Sequence, residues 1–132
     1  MGQSTDGILV FGIPLEEGVE LEFLEDFDDD FEEFVDAQTG KDWKEVGFKE
    51  VEAARQAFGI TMLRHCSCDY PMYILALTGT TTTASRGHPQ KIEKLVDVSQ
   101  EQIDKLAAFA EQYGFTDALE GEPGWYLCSD WC

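Results

Sequence analysis

Residues 21 to 36, LEFLEDFDDDFEEFVD, set nine carboxylates among seven apolar side chains and contain no Lys or Arg. A segment of this kind needs one face in a core and another in water. Leu24, Phe27, Phe31, Phe34 and Val35 recur at spacings of three and four, which places them along one stripe of a helix. The spacing predicts a helix from about Phe23 to Ala37, ended at Gly40, with the acids covering the rest of its surface.

The remainder of the chain supplies the core against which such a stripe packs. Of its 132 residues, 43% are hydrophobic, and nine Phe, three Trp and four Tyr are among them. That is enough apolar material for one domain, so the acidity is not that of a core-poor disordered chain. No linker, repeat or low-complexity boundary divides it, and residues 1–132 read as one domain.

GILVFGI, residues 7 to 13, is a short apolar run stopped by Pro14, as expected of a buried strand. Trp43, Val46, Val51, Ala54 and Phe58 predict a second helix closing at Gly59. ITMLRHCS and YPMYILALTGTTTTA read as a strand pair around CDYP, with Thr80 to Thr83 as an edge strand, and KIEKLVDV as a further strand. Ser99 and Gln102 form a capping-box pattern at the start of a helix whose buried stripe is Ile103, Leu106, Ala107 and Ala110, with Gly114 as the C-terminal stop. WYLCSDWC closes the chain as a strand. Helices and strands mix without regular βαβ alternation, so the expected fold is α+β: a single domain with a mainly antiparallel sheet, an acidic N-terminal helix and a capped helix near the C-terminus.

Charge narrows the function. The formal net charge is -18; residues 1–40 hold thirteen acids and no Lys or Arg, while residues 41–132 hold fourteen acids against nine bases. Phosphate backbones and anionic membranes need clustered Lys and Arg, so direct nucleic-acid or membrane binding is not expected, and a cationic partner fits better. No run reaches the length of a membrane span, and GILVFGIPL is too short and lacks preceding basic residues for a signal peptide, which predicts a cytoplasmic protein. MGQSTD has Asp6 where a myristoylation signal takes Ser or Thr.

The cysteines give a second candidate site. Cys66, Cys68, Cys128 and Cys132 are a thin disulfide framework for so apolar a chain, and reduced thiols are the expectation. The alternative is a tetrathiolate zinc site, although the spacings are CxC and CxxxC rather than CxxC; a reversible disulfide between the two segments is a further reading. On a regular strand His65 and Cys66 point to opposite faces, which works against a Cys–His nucleophile. His88 lies in the turn-like RGHP. No phosphate-binding, dinucleotide, zincin or nucleophile-elbow motif occurs. Neither an enzyme nor a cofactor is expected.

For the acidic segment three readings compete. DFDDD has the alternation of a calcium loop, but Phe31 stands where that loop needs Gly. Within the expected helix, Glu25, Asp26, Asp28, Asp29, Asp30, Glu32, Glu33 and Asp36 would give roughly one charge per 2.6 Å of axis at about 1.5 Å rise per residue. Duplex DNA carries one per about 1.7 Å and a single strand one per about 3.4 Å. These eight residues are therefore the candidate partner-binding set, a nucleic-acid-like rod offered to a basic groove, against the plain alternative of a solvated helix face.

MGQSTDGILVFGI at the start, RHCSCDYPMYILAL in the middle and WYLCSDW at the end resemble small acidic proteins encoded by tailed bacteriophages and prophages. The resemblance implies a phage context and, by analogy with small phage proteins that disable host defences, an anti-CRISPR or anti-restriction role. The implied partner is the basic surface of a host nucleic-acid-binding protein or effector complex. The alternative is a structural or virion-associated phage protein whose cysteines bind zinc. The resemblance assigns no catalytic residue.

Overall fold

The fold is that of a computed structural model describing residues 5–131, Thr5 by its backbone alone. Five strands carry the architecture: β1 (Thr5–Pro14), β2 (Ile60–Ser67), β3 (Pro71–Leu77), β4 (Thr82–Ser85) and β5 (Gly124–Trp131). Around them lie α1 (Phe31–Thr39), α2 (Trp43–Val46), α3 (Phe48–Phe58) and α4 (Gln100–Gln112), with 3-10 turns at Glu22–Phe27 and Thr116–Ala118. This is the expected α+β domain with a mainly antiparallel sheet.

The strand pairings close on themselves. β1 pairs antiparallel with β5 along Thr5 to Gly12, and its other edge is shared by β4 at Asp6 to Leu9 and β3 at Gly12 to Pro14. β3 pairs antiparallel with β2, and β2 returns to β5 through a short parallel contact, Cys66 with Asp130 and Ser67 with Trp131. β1, β3, β2 and β5 thus form a small ring, with β4 attached to β1. Alternation along each strand sends Val10, Ile74 and Ala76 into the ring, where Leu63, Tyr126 and Cys128 pack on them.

Two residues make the closure possible. Gly12 pairs with both Ala76 and Gly124. A Cβ there would collide with the Leu75 carbonyl oxygen and come within 2.8 Å of Ile74 Cγ2, so the strands approach this closely only at glycine. Where β1 changes partner from β4 to β3, Thr80 fills the gap: its Oγ1 accepts from Phe11 N–H at 3.2 Å and donates to the Leu77 carbonyl at 2.8 Å. Thr80 is 4% exposed, so this residue of the expected edge strand is a buried turn support, and β4 begins only at Thr82.

The outer face of the ring holds the main core. Phe11, Ile13, Leu75 and Leu77 meet Phe31, Phe34 and Val35 of α1 and Leu106, Phe109 and Ala110 of α4. Phe23, absent from the expected stripe, sits among five other rings with centroids 4.9 to 6.4 Å away. The Ser99–Gln102 capping box is present at the start of α4, and Gly114 takes a left-handed φ of 76° just after its end.

Three expectations fail. The helix expected to run from Trp43 to Phe58 is broken at Gly47 (φ 85°), leaving Trp43 and Phe48 stacked on each other in solvent, 50% and 71% exposed. KIEKLVDV forms no strand: its apolar residues do not alternate, and Ile92, Leu95 and Val96 stay exposed in an irregular strap over residues 91–96. Ala107 faces outward while Phe109 is buried, a one-sided shift of the α4 stripe.

Candidate functional site: an acidic cleft

The acidic segment is not one helix. The 3-10 turn Glu22–Phe27 ends at Asp28 and Asp29, both left-handed with φ of 53° and 59°, and α1 starts afresh at Phe31. A continuous helix would have stacked five like-charged pairs at i, i+4, and the break removes four of them, Glu25 on Asp29, Asp26 on Asp30, Asp28 on Glu32 and Asp29 on Glu33, leaving Glu32 on Asp36 within α1. Aspartate is also a weak helix former, tolerates the left-handed region and favours caps. The break uses both properties. Asp29 N–H and Asp30 N–H donate to the carbonyls of Leu24 and Phe27, closing the turn. The Asp30 carboxylate then caps α1, accepting from Glu32 N–H at 2.9 Å and Glu33 N–H at 3.4 Å. The charge spacing of a straight rod does not apply to this chain.

What the break builds is concave. Between residues 16–32 and the β2–β3 hairpin lies a cleft of about 1190 Å³. Leu24, Phe31, Met62 and Tyr73 give it apolar walls, and Tyr70, 62% exposed, stands at its edge. Eight carboxylates line it, those of Glu16, Glu20, Glu25, Asp28, Asp29, Asp30, Glu32 and Asp69, against the one base Arg64.

Five of the eight sequence-derived candidates therefore meet in one place: Glu25, Asp28, Asp29, Asp30 and Glu32. Asp26 and Glu33 are exposed but lie outside the cleft lining. Asp36 has a different task. Its carboxylate takes Nε and Nη2 of Arg55 in α3 at 2.9 and 2.8 Å, while Arg55 Nη1 lies 3.0 Å from Glu32. The hydrogen bonding it donates to Asp36 holds the Arg55 guanidinium above its usual pKa, and burial offsets part of this. Asp36 is thus a clamp between α1 and α3 rather than part of an open surface. Sequence reasoning missed Glu16, Glu20 and Asp69. The first two belong to the stretch without bases and were within its reach; Asp69, in the β2–β3 turn, joins only through folding.

The cysteines do not form the tetrathiolate. Cys68 is disulfide-bonded, against the expectation of four reduced thiols, which removes it from a closed zinc site. Cys66 and Cys128 are free and half-buried, Cys132 lies outside the described residues, and no cluster of three or more His, Cys, Asp or Glu suited to a metal occurs among the described residues. Burial pushes the Cys128 thiol up, and the charge of Asp130 adds to the effect; a thiol held protonated is a poor nucleophile. Burial lowers the pKa of His65, partly opposed by Asp130. Asp130 Oδ1 is itself buried without a hydrogen-bond donor among the described residues.

The chain matches no protein-family profile, no curated protein and no solved structure. Among the described residues, no helix is long and apolar enough to cross a membrane.

Proposed function

We propose that this chain is a non-enzymatic, phage-encoded inhibitor that covers the basic surface of a host nucleic-acid-binding defence complex with its acidic face. The observation that carries the reading is the cleft itself: eight carboxylates against one base, around apolar walls. Such a surface repels phosphate backbones and attracts the Lys and Arg side chains that bind them, and the encounter is accelerated by the long-range field of a chain with net charge -18. The acids act here as a receiving groove for protruding basic side chains, rather than as the outside of a rod. The phage context and the bacterial cytoplasm as its place of action rest on the sequence resemblance. The protein uses no cofactor and touches neither nucleic acid nor membrane.

The test is a DNA-binding assay on a panel of purified guide-loaded CRISPR effectors and restriction enzymes. One member should lose its DNA when the protein is added at equimolar amounts, and excess DNA or added salt should reverse the inhibition. A panel in which every member keeps its DNA contradicts the proposal for these classes.

A further inference from the structure

The ring of strands leaves one edge open. β4 pairs with β1 and, among the described residues, has no partner on its other side. Thr82, Thr83 and Ser85 are exposed, and β4 has neither Lys nor Pro, two of the usual guards of an unpaired edge. Beside this edge the outer face of the ring emerges from under the helices. Leu9 pairs with both Thr82 and Leu127, and Leu127 is 79% exposed. Trp131, further along the same face of β5, is 50% exposed. The strap over residues 91–96 borders the same surface, forming with Thr80, Thr82 and Trp125 a cleft of about 480 Å³. Its Ile92, Leu95 and Val96 are 47%, 40% and 54% exposed.

Charge identifies the occupant. Residues 80–98 hold Arg86, Lys91 and Lys94 against Glu93 and Asp97, one positive charge net in a chain of -18. This is where two such acidic molecules repel each other least, and it offers nothing to a strongly cationic partner. A short antiparallel edge is also self-complementary under a two-fold axis. We propose that β4 pairs with β4 of a second copy, joining the two sheets and bringing the two straps together across the axis. The apolar residues of the straps and of β5 then lie in one shared, water-poor surface. The proposal is independent of the acidic cleft, since none of the residues that line the cleft belongs to β4 or the strap.

Sedimentation analysis of the full chain across a concentration series tests this, with Thr83→Lys and Leu127→Lys as variants and circular dichroism as the check on folding. Both positions are exposed, so both variants should fold, and Leu95→Lys replaces either one that does not. The wild type should sediment as a dimer, and each variant should weaken dimerisation by at least about tenfold through like charges placed across the axis. A wild type that stays monomeric at every concentration overturns the proposal. So does a dimer indifferent to Thr83→Lys, which would not use the β4 edge.

Discussion

Arg55 decides which acids are spare. It holds Asp36 through two hydrogen bonds and reaches Glu32, and it is 28% exposed, shielded enough for the pair to matter. Replacing it with Met keeps the aliphatic stem and strands a half-buried carboxylate. Arg55→Met should therefore cost roughly 1–3 kcal/mol in urea unfolding; an unchanged midpoint would show that the clamp is idle. A second residue-scale test concerns His65. Burial lowers its pKa in the fold, so below about pH 6.5 the unfolded chain binds a proton that the folded chain binds less well. Its contribution to stability is present at neutral pH and lost as pH falls through that value. Measured between pH 7.5 and 5, His65→Gln should remove part of the wild type's pH dependence; superimposable profiles would contradict this. Some of this scale was legible in advance: Phe31, Phe34 and Val35 are buried as their spacing requires. Phe23 and the Asp36–Arg55 pair were not, because Phe23 meets rings as distant in sequence as Phe109, Tyr113 and Phe115 and the ion pair spans nineteen residues, and such partners leave no local pattern.

At the scale of elements, β1 is the organising strand, since it alone contacts β3, β4 and β5. Its changeover depends on the absence of a side chain at Gly12. Gly12→Ala should be more damaging than an ordinary surface substitution, by more than about 2 kcal/mol, because two of the three nearest obstacles, the Leu75 carbonyl oxygen and Ala76 Cα, are backbone atoms of β3 that cannot rotate away. Thermal melts of this variant beside Gly18→Ala, an open left-handed position, would check it; comparable losses would mean that the ring is looser than drawn. The strands β1, β2, β3 and β5 and the capped helix α4 were readable because alternation, turn residues and the Ser99–Gln102 box are local signals. The broken acidic helix was not, because its apolar spacing fits both a straight helix and two turns. Like-charge repulsion and the capping preference of aspartate decide between them. The ring closure is invisible to periodicity, which gives the face of a side chain but not the neighbour of a strand.

For the whole molecule, the uneven distribution of charge is the dominant property. Thirteen of the acids precede residue 41, and folding gathers much of that excess around a cleft, while residues 80–98 remain nearly neutral. The fold thus carries two unlike surfaces, an acidic cleft lined by residues 16–32 and 61–73 and the nearly neutral segment 80–98. The cleft acids divide into those held by the fold and those free to act. Asp30 caps α1 and Glu32 meets Arg55, whereas Glu25, Asp28 and Asp29 make no ion pair among the described residues. Glu25→Gln, Asp28→Asn and Asp29→Asn together remove three charges at nearly constant size and should leave stability within about 1 kcal/mol. The most direct measurement compares this triple variant with the wild type for inhibition of the effector identified by the DNA-binding panel. The variant should fold, and its inhibitory concentration should rise at least about tenfold, with the salt dependence of inhibition reduced in step. Full inhibition by the folded, neutralised variant would contradict an inhibitory role for the cleft and leave the acidic face as a solvated surface.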